Sequence, residues 1–226
     1  MISLKGIERN FQVGDQTVHA LSNVNLEIAA GEYVSIMGPS GSGKSTLLNI
    51  VGLLDRPSKG IYKLDGGDVT GLNDEQEAGV RRDKIGFVFQ SFHLVPRLSA
   101  LENVALPMLL AGIGINERRK RASENLEAYG LADRMHHRPD QLSGGQRQRV
   151  AMARATIMRP VVLLADEPTG NLDRASGKDV VALLEGLNES GVTLVVVTHD
   201  PQLGQRARRK IHMVDGKIDT NEIIAQ

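Results

Sequence analysis

A glycine-rich segment around residue 40 has the residue types and the spacing of a loop that binds phosphate. The pattern is G-x-x-x-x-G-K-[ST], and the segment reads Gly38-Pro39-Ser40-Gly41-Ser42-Gly43-Lys44-Ser45-Thr46. Its glycines let the backbone curl tightly, so that successive N–H groups converge on an anion. Lys44 is placed to reach the β- and γ-phosphates, and Ser45 to offer a hydroxyl to Mg²⁺. The segment therefore predicts a nucleotide site.

The residues on either side of this loop support the prediction. The preceding residues 33–37 are short, apolar and β-branched, which is typical of a buried strand, and residues 47–51 resemble the start of a helix. A helix that begins near Lys44 adds the positive end of its dipole to the phosphate site. A glycine-rich turn that matched the pattern by chance would need neither a preceding strand nor a following helix.

Three other apolar segments end in polar side chains, namely Gln90, the pair Asp166-Glu167, and His199. Ligands of parallel sheets bind beyond the carboxyl ends of the strands, where these residues should meet. Asp166 is expected to complete the Mg²⁺ shell with Ser45, and Glu167 to polarise an attacking water. Gln90 is placed to touch both metal and water, and His199 to hold the γ-phosphate. An Asp-Glu pair also begins ordinary helices, but three coinciding strand ends favour a catalytic site.

A second anion-binding segment lies far along the chain at Leu142-Ser143-Gly144-Gly145-Gln146. A serine and two glycines open a predicted helix over residues 146–158, and the N-terminus of such a helix attracts anions. One phosphate loop is normally sufficient, so a second site indicates nucleotide held between two copies of the protein. The alternative is that Ser143 is simply a helix N-cap.

The composition narrows the class of protein. The 27 Lys and Arg balance 27 Asp and Glu, and aromatic residues are 3% of the chain, which disfavours nucleic acid as a partner. There is no cysteine, so neither disulfides nor thiolate metal sites are expected. The longest weakly polar stretch, residues 104–115, is too short to span a bilayer. These features predict a soluble, cytosolic chain.

The remaining patterns predict the fold class: α/β, with a P-loop NTPase core, a mostly parallel sheet, an N-terminal antiparallel β subdomain and an inserted all-helical subdomain. Alternating apolar residues predict an edge strand over residues 2–8 and a partner over residues 18–28. Helical periodicity without strands marks residues 99–159. We therefore expect one domain over residues 1–226, with a core of 1–90 and 160–226 and a helical subdomain of about 91–159. Phe11 falls between the first strands, where its ring either stacks on a base or packs.

The motifs together resemble those of ATP-binding-cassette ATPases, and the resemblance covers essentially the whole chain. Its elements occur in the family's order: the phosphate loop, Gln90, Leu142–Gln146, Val162–Glu167, Asn171-Leu172-Asp173 and His199. The resemblance implies ATP and Mg²⁺ as cofactors and a head-to-tail homodimer with two ATP molecules between subunits. Ser143 and Gly145 of one copy, within the signature Ser143–Gln146, would cap the γ-phosphate held by Lys44 of the other. Asp173 would link the two sites, and Phe11 would stack on adenine.

Finer features resemble the macrolide-export and lipoprotein-release group, often called MacB/LolD. They are the segments Arg81–Gln90, Leu101–Val104 and Asp166–Asp173. The resemblance implies a peripheral ATPase at the cytoplasmic face of the inner membrane, a separate integral membrane permease and a possible periplasmic adaptor. Phe92, His93 and Leu94 are the candidate docking surface for the permease. An alternative is a cassette of the same branch that regulates cell-wall hydrolases without transport. A cassette of DNA repair or translation is disfavoured by the single signature and the absence of long heptad runs.

Overall fold

A computed structural model describes residues 1–224. The strands are β1 (Ile2–Val13), β2 (Gln16–Ile28), β3 (Tyr33–Met37), β4 (Lys59–Leu64), β5 (Gly67–Asp68), β6 (Ile85–Phe89), β7 (Val162–Asp166), β8 (Thr193–Val197), β9 (Arg209–Val214) and β10 (Lys217–Ile223). The helices are α1 (Lys44–Val51), α2 (Asp74–Lys84), α3 (Ala100–Leu110), α4 (Ile115–Ala128), α5 (Gly144–Thr156), α6 (Arg174–Glu189) and α7 (Pro201–Gly204). Within residues 1–224, no helix is both long and apolar enough to cross a membrane.

The N-terminal sheet is antiparallel and has the order β2-β1-β4-β5. The prediction of an edge strand over residues 2–8 is wrong, because β1 pairs on both sides: Leu4 lies opposite Leu26 of β2 and Tyr62 of β4. The alternating pattern identified the strand correctly. It could not show that β4, which follows the phosphate loop, returns to cover the open side of β1. Phe11 lies inside β1, opposite Val18, rather than between strands.

The second sheet has the order β10-β9-β3-β8-β7-β6 and is parallel except for β10. Its central strands β3, β7 and β8 are buried almost throughout, as continuous apolar strands covered on both faces should be. Parallel pairing brings the carboxyl ends of β3, β8, β7 and β6 to one edge of the sheet. The phosphate loop and the three polar strand ends therefore share this edge, as predicted.

The block between β6 and β7 is helical in the structure: a short turn joins α3 to α4, and a longer segment with two 3-10 helices, Ala132–Arg134 and Pro139–Gln141, joins α4 to α5. Two of these helices begin at capping boxes, in which Ser99 pairs with Glu102 and Ser143 with Gln146. A capping box satisfies backbone N–H groups that the first turn leaves free. Helix α5 also packs against the parallel sheet, because Met152 belongs to the same buried cluster as Leu163. The fold class agrees with the sequence prediction, and the subdomain boundaries stay a prediction.

Candidate functional site

The glycines of the phosphate loop take up backbone conformations that side chains would not allow. Gly38, Gly41 and Gly43 have φ values of 147°, 78° and 95°. A Cβ atom on Gly38 would lie 2.1 Å from the Met213 carbonyl oxygen, which is far inside van der Waals contact. The loop is therefore held closely against the hairpin that follows β9.

The other residues of the phosphate loop surround its solvent-exposed side, which is called the mouth of the loop. Helix α1 begins at Lys44 without a side-chain cap, so its first N–H groups remain available to an anion. The Lys44 ammonium donates to the carbonyl oxygens of Gly38 and Pro39 at 2.9 and 2.7 Å, which places it over the loop. The Ser42 side chain is buried, so this residue can contact a ligand only through its backbone. The exposed side chains at the mouth are Pro39, Ser40 and Ser45, with Thr46 partly exposed.

Asp166, at the end of β7, carries a charge that the surroundings disfavour. Burial raises the pKa of its carboxyl, as does the neighbouring charge of Glu167, while Lys44 and a hydrogen bond with the Ser45 hydroxyl lower it. The structure therefore brings Ser45 and Asp166 together. Two oxygen ligands fit Mg²⁺, which binds few protein groups and takes the rest of its shell from phosphates and water. Among residues 1–224, no cluster of three or more His, Cys, Asp and Glu forms an all-protein metal cage.

Glu167 follows Asp166 with a left-handed backbone, at φ 46°. Such a conformation costs a non-glycine residue about 1–3 kcal/mol and is concentrated at functional sites. Its carboxylate accepts hydrogen bonds from the Thr198 hydroxyl at 3.0 Å and the His199 N–H at 2.8 Å, and its Oε1 lies 2.6 Å from His199 Nδ1. The side chain is only 17% exposed. Glu167 and His199, predicted separately, thus form one unit with Thr198.

The side-chain contacts of Gln90 are not those expected of a metal ligand. Its Nε2 lies 3.4 Å from Oδ1 of Asn171, and the Asn171 side chain donates to the Gln90 carbonyl at 3.1 Å. A Cβ on Gly170 would lie 2.6 Å from the same Nε2, so the amide is packed against this loop. The structure thus brings two of the three predicted metal ligands together and turns Gln90 toward Asn171.

The second anion-binding segment contacts α6 rather than the phosphate loop of its own chain. Ser143 is exposed and caps α5 by accepting from the Gln146 N–H at 3.3 Å. Gly145 is buried against Ser176, where a Cβ would lie 2.7 Å from its Oγ, and Gly144 lies beside Leu172. The structure is consistent with both roles predicted for Ser143, since this residue is the N-cap of α5 and is also exposed at the helix N-terminus, where an anion can approach.

Asp173 lies at the N-terminus of α6. Its carboxylate caps the helix by accepting from the N–H groups of Ala175 and Ser176, both at 3.0 Å, and from the Ser176 hydroxyl at 2.7 Å. The carboxylate is therefore fixed in place by Ser176, the residue that packs against Gly145. No contact in residues 1–224 tests the predicted link between two nucleotide sites.

The prediction that Phe92 lies on the docking surface for the permease is wrong, because its side chain is buried. Phe92 is 9% exposed, and the Arg147 guanidinium lies 4.9 Å from its ring centre. Phe92 and His93 both have left-handed backbones, and Arg154 of α5 donates to both of their carbonyls. Arg154 was not predicted as part of this contact, because in the sequence a helical arginine resembles any solvated charge until the position of the loop it contacts is known. Of the three residues expected to dock the permease, His93 is exposed and Leu94 partly exposed.

Two more contacts complete the site. Phe11 is 37% exposed, with the Arg9 guanidinium 4.3 Å from its ring centre, so its ring lies on the surface rather than in the core. Gln148 was not predicted; it is buried, and its amide donates to the Pro168 carbonyl at 2.7 Å, next to Glu167. Thr198 was also missed, although a hydroxyl residue between an apolar strand and His199 was a signal in the sequence.

Comparisons with known proteins agree with this geometry. Residues 21–170 match the ABC transporter family. The uncharacterized ABC transporter ATP-binding protein YknY of Bacillus subtilis is 51% identical over 218 residues, which are 96% of this chain and 95% of that protein. The macrolide export ATP-binding/permease protein MacB of Bdellovibrio bacteriovorus is 48% identical over 222 residues, which are 98% of this chain but 34% of that protein.

A solved structure is similar over its full length. It is the dimeric post-hydrolysis state of the ATP-binding cassette MJ0796 bound to ADP and Pi, with a TM-score of 0.93, 47% identity and 100% coverage of both chains. A second dimeric structure of MJ0796, described as a bacterial ABC transporter cassette, is 48% identical with the same TM-score of 0.93. The chain belongs to the ABC transporter family and is one of its ATP-binding, ATP-hydrolysing cassettes.

Proposed function

We propose that this chain is the motor subunit of a transporter that exports or extracts a hydrophobic substrate through a separate membrane permease. The substrate class is lipoprotein, peptide or drug-like molecule. The proposal rests on one observation: the functional residues meet at one edge of the parallel sheet. There Lys44 lies over the phosphate loop, and Thr198 and His199 hold Glu167. The relation to a macrolide exporter supports the export direction.

In this proposal ATP binds to the phosphate loop through backbone N–H groups and Lys44, with adenine on Phe11. Ser45 and Asp166 would hold Mg²⁺, with Gln90 as the third protein ligand in place of its contact with Asn171. The ion would supply charge neutralisation for the triphosphate. The segment Ser143–Gln146 of a second copy, in which Ser143 is exposed, seals the γ-phosphate, because a helix N-terminus stabilises an anion.

Glu167 acts as the general base. It accepts a proton from water while the water oxygen bonds to the γ-phosphorus and the bond to the β,γ-bridging oxygen breaks. The contacts of Glu167 with Thr198 and His199 fix the carboxylate in one orientation. His199 also holds the γ-phosphate. Product release reopens the dimer, and a permease in the membrane uses this cycle.

The permease contacts the loop around His93 and Leu94, between β6 and α3, so the chain lies peripherally at the cytoplasmic face of the inner membrane. A periplasmic adaptor completes the assembly, and nucleic acid is no part of it. The test is co-purification of the tagged chain from its native membrane in mild detergent, followed by reconstitution with the partner. We expect a permease whose presence makes ATP hydrolysis depend on a hydrophobic substrate. A partner that instead activates cell-wall hydrolases, with no substrate moved, would contradict transport.

A further inference from the structure

The turn between β9 and β10 connects the phosphate loop to the N-terminal sheet. The Gly216 N–H donates to the carbonyl oxygen of Ser42 in the loop at 3.1 Å. The Gly216 carbonyl accepts from the N–H of Ser22 on β2 at 2.9 Å. Gly216 thus joins the loop to β2 of the other sheet, although by the numbering it lies 174 positions after Ser42 and 194 positions after Ser22.

The packing around this residue leaves no room for a side chain. Gly216 has φ 73°, and a Cβ on it would lie 2.7 Å from the Ala20 carbonyl oxygen and 3.2 Å from the Leu21 Cα. The same hairpin contacts the beginning of the loop, where the Met213 carbonyl lies against Gly38. The hairpin therefore contacts the phosphate loop at two positions, its first residue Gly38 and its middle residue Ser42.

The contact with Ser42 also sets the direction of a neighbouring N–H group. The carbonyl of Ser42 and the N–H of Gly43 belong to one peptide plane and point in opposite directions, since no peptide bond of the described chain is cis. A hydrogen bond that holds the Ser42 carbonyl toward the hairpin turns the Gly43 N–H away from it. That N–H immediately precedes Lys44, at the start of α1.

We propose that Gly216 is a positioning residue for nucleotide binding, which aims the Gly43 N–H at the bound phosphates. This inference rests on the proposed role of the phosphate loop. Gly216 acts through Ser42, so its loss should weaken nucleotide affinity in protein that is still folded.

The chain contains a matched control for this position. Both Asp65-Gly66 and Asp215-Gly216 form hairpin turns, and their glycines have similar φ values of 81° and 73°. A Cβ on Gly66 would meet nothing within 4 Å, whereas a Cβ on Gly216 would collide with β2. The substitutions Gly66→Ala and Gly216→Ala therefore share the backbone strain and differ in the displacement of the hairpin.

The experiment measures ADP affinity with Mg²⁺ by calorimetry for wild type and both variants, together with the thermal midpoint without nucleotide. We expect both variants to lose stability and only Gly216→Ala to lose affinity, by about tenfold to a hundredfold, the effect of a misaligned hydrogen bond to a charged group. Equal ADP affinity in the two folded variants would overturn the inference. Failure of wild type to bind ADP would instead overturn the proposed function of the loop.

If Gly216→Ala does not fold, the pair Gly216→Asn and Gly66→Asn keeps the collision but reduces the strain, because asparagine adopts this conformation more readily. Amide hydrogen exchange in wild-type protein gives a second readout that needs no variant. The Gly216 N–H can exchange only when its hydrogen bond to Ser42 breaks, so ADP should slow its exchange. The exchange rate of the Gly66 N–H should not change. Unchanged exchange at Gly216 in ADP-saturated protein would also contradict the proposal.

Discussion

Replacing Glu167 by Gln should separate ATP binding from hydrolysis. The amide is isosteric with the carboxylate. Its oxygen, in the place of Oε1, accepts from the His199 backbone N–H, which lies 2.8 Å from Oε1 in the wild type, and its NH₂ group, in the place of Oε2, can donate to the Thr198 hydroxyl oxygen at 3.0 Å. The side chain should therefore stay in place. What disappears is the ability to take a proton from water, so we expect kcat to fall by about 10²- to 10⁴-fold, which is about 3–5 kcal/mol of transition-state stabilisation.

The same substitution should leave nucleotide affinity intact. It removes a negative charge that raises the pKa of the Asp166 carboxyl, so Asp166 becomes easier to ionise and Mg²⁺ easier to hold. The assay is steady-state phosphate release at saturating ATP, with binding measured separately by calorimetry. A suitable control is Glu185→Gln, which breaks an ion pair with Arg206 elsewhere on the surface. If Glu167→Gln hydrolysed ATP within threefold of the Glu185→Gln control, with threefold chosen as the cut-off, the reasoning about the base would be refuted.

Three further substitutions test other parts of the site. Lys44→Ala should weaken ATP binding by about tenfold to a hundredfold, because a charged hydrogen-bond donor to phosphate is lost; calorimetry that shows wild-type affinity would contradict the loop assignment. Asp166→Asn should raise the thermal midpoint of nucleotide-free protein, since it removes a charge that burial and Glu167 disfavour, and should abolish Mg²⁺-dependent hydrolysis; an unchanged or lower midpoint would contradict the first effect. Arg154→Lys should cost about 1–2 kcal/mol in urea unfolding, because one of two carbonyl contacts after Gln90 is lost; an equal loss in Arg149→Lys, on the same helix, would contradict it.

The sequence predicted well wherever the determinants are local. The phosphate loop needs its own glycines, lysine and serine, and Ser99 and Ser143 cap helices whose first turns follow them directly. Continuous apolar strands predicted a buried parallel sheet, and its geometry then placed Asp166 and His199 at one edge. These results follow from rules that act over a few residues or through the sheet's topology.

The predictions that failed depend on contacts between distant parts of the chain. The second neighbour of β1 comes from beyond the phosphate loop, and Phe92 is buried because Arg147, more than fifty positions later by the numbering, packs on it. The contact of Gln90 with Asn171 likewise joins distant parts of the chain and was not predicted, while the role of Gln90 as a metal ligand stays a prediction. Gly216 shows the limit most clearly. As half of an Asp-Gly turn it resembles Gly66, and only the neighbouring backbone distinguishes the two.

The most direct test of the account is the oligomeric state of the Glu167→Gln protein, measured by sedimentation with and without saturating ATP. We predict a monomer without ATP, a dimer with ATP, and a monomer with ATP when Ser143→Arg is added. Ser99→Arg, which removes an equivalent cap at the start of α3, should leave the dimer intact. Protein that binds ATP and yet stays monomeric, or dimerises equally well with Ser143→Arg, would contradict the claim that the nucleotide is sealed between two copies.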